Sequence, residues 1–117
     1  MKKILVIEND LAILEIVGFV FIEKGFDVLE SQNRIPIERI IEQKPNLVLL
    51  DYFLNDSYGK EICLEIKNNP LTQHIPVILY SAISGLEQVA KDSGADAFIA
   101  KPFEVDELTK LVESFVL

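Results

Sequence analysis

At 117 residues, 50% of them apolar and 26% charged, the chain has the size and composition of one globular domain spanning 1–117. Its net charge of −8, from 19 acids against 11 bases, argues against nucleic acid or an anionic membrane as direct partner, because both call for a basic footprint. The single cysteine, Cys63, permits no internal disulfide and no zinc spacing, and is expected to be a small core residue.

The first apolar run, Ile4-Leu5-Val6-Ile7, predicts a buried strand and is too short for a signal peptide. With no stretch long enough to span a bilayer, a cytoplasmic chain is expected. Glu8-Asn9-Asp10 ends the strand, and Asp10 is placed to cap a helix running to about Lys24 and closed by Gly25. In that helix Ile13, Val17, Val20 and Phe21 share one face, with Leu14 and Ile16 at its borders. Gly18 interrupts it at a cost of about 1 kcal/mol relative to Ala. Phe19 and Ile22 lie opposite, as core border or as an exposed patch. Phe26 to Glu30 reads as a short edge strand, and Pro36 opens a helix to about Lys44.

Leu47-Val48-Leu49-Leu50 is the most apolar short run, bounded by Pro45-Asn46 and ended by Asp51. It predicts a strand buried on both faces, with Asp51 just past its end at the mouth of a cleft. Gly59 breaks the following loop, and a helix over Glu61 to Asn68 turns Ile62, Ile66 and Leu64 inward. The lone His74 receives no role. Ile75 to Tyr80 is a strand ending at Ser81-Ala82, a short helix follows from about Gly85 to Asp92, and Asp96 to Ala100 is the last strand, before Lys101-Pro102. A final helix begins near Glu104, with Asp106 and Glu107 in its first turn and Leu108, Leu111, Val112 and Phe115 as its buried stripe. Strict strand–helix alternation with short connections predicts an α/β, doubly wound parallel sheet of five strands with five helices in three layers.

Glu8, Asn9, Asp51, Ser81 and Lys101 then stand at strand ends that line one crevice if their strands are neighbours. Acids with a lysine and a hydroxyl, in a chain with no glycine-rich phosphate loop, point to phosphoryl chemistry on a carboxylate rather than to nucleotide binding. A divalent cation held by the carboxylates could bridge the nucleophile and the incoming oxygen, with Lys101 balancing the remaining charge.

Over essentially its whole length the chain resembles the receiver domain of bacterial two-component response regulators. The resemblance rests on residues 2–10 (Lys-Lys-Ile-Leu-Val-Ile-Glu-Asn-Asp), 45–51 (Pro-Asn-Leu-Val-Leu-Leu-Asp), 75–82 (Ile-Pro-Val-Ile-Leu-Tyr-Ser-Ala) and 94–103 (Gly-Ala-Asp-Ala-Phe-Ile-Ala-Lys-Pro-Phe), in that order. It implies a flavodoxin-like sheet with strand order 2-1-3-4-5, and a stand-alone switch in which Asp51 accepts a phosphoryl group from a sensor histidine kinase or phosphotransfer protein. It also implies Mg²⁺ held by Glu8, Asn9, Asp51 and the Phe53 backbone carbonyl, with Lys101 and Ser81 contacting the phosphoryl group. Further implications are a cis Lys101–Pro102 bond, a Ser81–Phe98 switch pair, and output through contact with an unknown downstream protein.

Three features depart from that pattern. Asn9 replaces an acid, which weakens Mg²⁺. The interval from Ser81 to Lys101 is short, so partner choice on that face is not inherited. Asn55 replaces a proline, which implies a looser loop after Asp51. Phe53 and Ile83, two residues past Asp51 and Ser81, are apolar and cannot orient a hydrolytic water, which implies slow self-dephosphorylation. The alternative is a pseudo-receiver that binds a protein without phosphate. A hydrolase passing through an aspartyl-phosphate lacks its second acid, since Phe53 occupies that position. The chain is therefore expected to catalyse only its own phosphorylation and dephosphorylation.

Overall fold

The computed structural model describes residues 1–54 and 57–117. Ten elements alternate: β1 (Lys3–Ile7), α1 (Leu11–Glu23), β2 (Asp27–Ser31), α2 (Ile37–Gln43), β3 (Leu47–Asp51), α3 (Gly59–Lys67), β4 (Val77–Ser81), α4 (Leu86–Ser93), β5 (Ala97–Ala100) and α5 (Val105–Val116). The strands form one five-stranded sheet in the order β2-β1-β3-β4-β5, with every neighbouring pair parallel. The expected doubly wound topology and strand order are both present.

Because successive side chains of a strand point to opposite faces, the sheet sorts its apolar residues into two cores. Ile4, Val6, Leu47, Leu49 and Ile78 pack against Leu14, Val17 and Phe21 of α1 and Leu108, Val112 and Val116 of α5. Leu5, Ile7, Val48, Leu50 and Leu79 pack on the other face against Ile40 of α2, Ile62, Cys63 and Ile66 of α3, and Leu86 and Ala90 of α4. β1, β3 and β4 read as unbroken apolar runs because helices cover both their faces, whereas β2 stays partly exposed at its edge.

Several expectations are corrected. On α1 the buried residues are Leu14, Val17, Gly18 and Phe21; Ile13 and Val20 are half-buried and Ile16 faces outward. The helix has docked about one residue further round than its apolar spacing suggested, since α1 is apolar on most of its surface and only packing selects the buried stripe. On α5 the stripe is Leu108, Val112 and Val116, with Thr109 also buried, and Phe115 is exposed. Gly59 opens α3 instead of breaking the loop, and of the expected inward residues Leu64 is only half-buried while Cys63 is fully buried. α2 stops at Gln43, and Lys44 takes the left-handed C-cap conformation with φ 50°. The strands expected from Phe26, Ile75 and Asp96 begin one or two residues later, at Asp27, Val77 and Ala97. A Cβ at Gly18 would meet only the end of the exposed Glu30 side chain, which can swing aside.

Candidate functional site

The pleat that sorts the cores also assembles the site. Glu8 continues the phase of Ile4 and Val6, Asp51 that of Leu47 and Leu49, Tyr80 that of Ile78, and Lys101 that of Ile99, so all four turn toward the α1–α5 side at the C-terminal edge of the sheet. In open parallel sheets this edge is where ligands bind. Glu8 is fully buried, and Asp51 nearly so. Lys101 Nζ donates to Glu8 Oε1 at 2.7 Å and to Asp51 Oδ2 at 3.3 Å. Glu8 Oε2 accepts from the Asp10 backbone N–H at 3.0 Å, while the Asp10 side chain caps α1 by accepting from the Ile13 N–H at 3.2 Å. The Lys101 ammonium also sits 4.7 Å from the Tyr80 ring centroid, a cation–π contact, and Phe103 meets that ring edgewise at 5.9 Å.

Two buried carboxylates share one ammonium, so the cluster carries uncompensated negative charge. Burial, then the neighbouring Glu8 carboxylate, outweigh the attraction of Lys101 and push Asp51 up to about 6. The Tyr80 phenol is driven far above its ordinary range by burial and by the charge of Glu8. Among the described residues its buried hydroxyl has no hydrogen-bond partner, an arrangement that costs about 1–3 kcal/mol. The Cys63 thiol is pushed up to about 12 by burial, which suits an inert core residue as expected.

The expected crevice is assembled in part. Glu8, Asp51 and Lys101 meet directly. Ser81 is buried at the end of β4, where its carbonyl accepts from the Lys101 N–H at 2.9 Å, but it follows the phase of Val77 and Leu79, and its hydroxyl makes no hydrogen bond among the described residues. Asn9 is half-buried, and its carbonyl accepts from Gln32 Nε2 at 3.1 Å. Phe53 is 49% exposed and packs edgewise on Tyr52 at 4.9 Å. Phe98 is 42% exposed, turned away from the core. The Lys101–Pro102 bond is cis. Asn55 lies outside the described residues. Sequence reasoning missed Tyr80; the available signal was an aromatic hydroxyl placed at the end of a wholly buried strand.

The donors gathered here are hard oxygens of buried acids short of positive charge, a chemistry that fits a small divalent cation better than a soft metal. Among the described residues no group of three or more His, Cys, Asp or Glu side chains is placed to hold a metal. Also among the described residues, no helix is long and apolar enough to cross a membrane.

A parallel five-stranded sheet with an acid–lysine cluster at its C-terminal edge defines a class of signalling domain. The chain belongs to the response regulator receiver domain family, whose model matches residues 4–113. It is 31% identical to the phosphate regulon transcriptional regulatory protein PhoB of Escherichia coli K12, over 97% of this chain and 51% of PhoB. It thus spans about half the length of that curated relative. A two-component response regulator from Clostridium difficile superposes with a TM-score of 0.88 at 26% identity, covering 99% of this chain and 96% of the other. The receiver domain of sensor histidine kinase PA1611 from Pseudomonas aeruginosa PAO1, solved with a magnesium ion coordinated in its active site cleft, shares the fold with a TM-score of 0.88 at 20% identity over 97% and 96% of the two chains.

Proposed function

We propose that this domain, taken as the single unit 1–117, is a phosphorylation-dependent switch in which Asp51 accepts a phosphoryl group from a phosphohistidine on a sensor histidine kinase or phosphotransfer protein. The observation that carries it is the sharing of Lys101 between two buried acids, Glu8 and Asp51, at the ligand-binding edge of the sheet. An Asp51 carboxylate oxygen attacks phosphorus, the P–N bond breaks, and the imidazole nitrogen leaves with the bonding pair. Asp51 must be ionised to attack, and with its proton held to about pH 6 it is so under neutral conditions. Lys101 balances charge on the transferring group, and the Ser81 hydroxyl, unengaged among the described residues, binds it afterwards. Phe98 then turns inward as Ser81 moves.

Glu8, Asn9, Asp51 and the Phe53 carbonyl are the residues proposed to hold Mg²⁺, as the magnesium-bound PA1611 receiver encourages. When bound, that ion supplies charge neutralisation to the nucleophile and the phosphoryl oxygens. The amide of Asn9 weakens it.

The phosphodonor is proposed to dock on α1. Phe19 is 62% and Ile22 56% exposed there. Beside them a groove of about 480 Å³, lined by Ile13, Ile16, Val17, Pro102, Phe103 and Val105, reaches Lys101. Output through a downstream protein, with neither nucleic acid nor membrane contacted by this domain, is supported by its net charge of −8. A cytoplasmic location belongs to the same proposal. The domain catalyses no reaction beyond its own phosphorylation and slow dephosphorylation.

The second possibility, a binding module that signals without phosphate, is favoured by Asn9 alone. Incubation with acetyl phosphate and Mg²⁺ separates the two. The switch gains one phosphoryl group by mass spectrometry and loses that gain in Asp51→Ala, whereas no gain in the unaltered protein establishes the module.

A further inference from the structure

Tyr80 is the largest wholly buried side chain, and its hydroxyl is the one buried side-chain polar atom left without a hydrogen bond among the described residues. Phenylalanine would fill the same volume without stranding a donor, so packing accounts for the ring and not for the oxygen. The surroundings suggest what the oxygen is for. Asp51 is the register partner of Tyr80 across β3 and β4, and Glu8 turns to the same face of the sheet. The ammonium that lies 4.7 Å from the Tyr80 ring centroid also lies 2.7 Å from Glu8 Oε1. Glu8 and the Tyr80 ring therefore flank one cation. After burial, the Glu8 carboxylate is the strongest influence on the phenol, ahead of Asp51 and Asp10.

In the resting arrangement both Glu8 oxygens are satisfied, Oε1 by Lys101 and Oε2 by the Asp10 N–H. A phosphoryl group on Asp51 brings about −1.5 to −2 charges within reach of Lys101 and draws the ammonium toward itself. Glu8, with no exposure to water, then keeps the Asp10 N–H and the cation it is proposed to help hold, but loses the ammonium at Oε1. A buried carboxylate oxygen that gives up a donor is costly unless another donor replaces it.

We propose that Tyr80 is a positioning residue for the phosphorylated state: its hydroxyl donates to Glu8 when Lys101 turns to the phosphoryl group, keeping Glu8 aimed at the site. This rests on Asp51 being the phosphoacceptor. The hydroxyl thus works against the resting state, where it is stranded, and in favour of the phosphorylated one, where it is paired.

Tyr80→Phe keeps the ring and its cation contact and removes only the donor. Beryllium fluoride with Mg²⁺ serves as the phosphoryl mimic, with three readouts. The resting variant is expected to melt at or above the temperature of the unaltered protein. Its affinity for the mimic is expected to fall about tenfold, or about 1.4 kcal/mol. In the unaltered protein, the ¹³Cζ resonance of Tyr80, assigned by its loss in the variant, is expected to move downfield when the mimic binds. Equal affinity in both proteins together with an unmoved resonance overturns the role of Tyr80 while leaving the phosphoacceptor intact. Failure of the unaltered protein to bind beryllium fluoride or to react with acetyl phosphate overturns the phosphoacceptor assignment itself.

Discussion

Lys101 lies closer to Glu8, at 2.7 Å, than to Asp51, at 3.3 Å. In the resting state its ammonium is thus committed mainly to the wholly buried acid, and Asp51 carries a desolvation penalty that Lys101 only partly offsets. The residue proposed to react is the less well compensated of the pair. That is what a nucleophile awaiting a cation and a phosphoryl group requires, and it gives the domain a measurable stability cost.

Asp51→Asn is expected to stabilise the cation-free domain at pH 7.5. The native pKa is raised from 3.8 to about 6, so the unfolded chain releases this proton at lower pH than the folded one. Stability from this group is therefore complete below about pH 4 and is lost as the pH rises through 6. At about 1.4 kcal/mol per unit, the loss is on the order of 2–3 kcal/mol. Urea unfolding should show a gain of that order for the variant at pH 7.5 and almost none at pH 4. Equal gains at both values would rule out Asp51 as the source.

Asn9→Asp should tighten Mg²⁺. A full charge near 4 Å from a divalent cation is worth at most about 8 kcal/mol at an effective dielectric of 20, and screening and desolvation cut it to a small fraction. About a tenfold gain in affinity is expected by calorimetry. An unchanged affinity would show that Asn9 stands away from the ion.

Ile22→Glu places a charge on the exposed flank of α1. Surface substitutions of this kind usually change stability by within about 0.5 kcal/mol, so the melt should hardly move. Phosphotransfer from the cognate kinase should slow, whereas phosphorylation by acetyl phosphate should not. A kinase rate equal to that of the unaltered protein removes α1 as the docking surface.

Gly59→Ala tests how closely α3 approaches the end of β3. A Cβ at Gly59 would meet the Asp51 carbonyl oxygen at 2.5 Å and the Tyr52 Cα at 2.9 Å, both backbone atoms that cannot step aside. The Gly59 N–H donates to the Tyr52 carbonyl at 2.6 Å, which ties the helix to the strand end. A loss of about 1–3 kcal/mol is expected in chemical unfolding, together with slower phosphorylation, because the same shift moves Asp51. A variant as stable and as reactive as the parent would mean that the two elements tolerate separation.

The phosphoryl group, once formed, should persist. The Phe53 side chain offers no polar atom to orient a water, and its ring packs with those of Tyr52 and Tyr58 at 4.9 and 5.9 Å. Phe53→Asp should shorten the lifetime, followed by loss of the phosphorylated mass. A parent lifetime of only seconds would contradict this.

The sequence by itself determined which segments become strands and in what order the helices follow. Runs such as Leu47 to Leu50 can bury both faces only in the middle of a parallel sheet, and acids just beyond them must lie at its rim. For the same reason Asp51, Glu8 and Lys101 could be named from their places at strand ends. The resemblance of the chain to receiver domains supplied the strand order and the cis bond before Pro102. Which side of a helix is buried was left to the tertiary structure. α1 is apolar nearly all round, so docking against the sheet chose Leu14 over Ile16, and on α5 it chose Val116 over Phe115. Tertiary packing alone also sealed the Tyr80 hydroxyl away from water beside the ammonium of Lys101. Strand pattern predicts that a side chain is buried, but whether its polar atom finds a partner depends on residues brought together from β1, β3 and the end of β5.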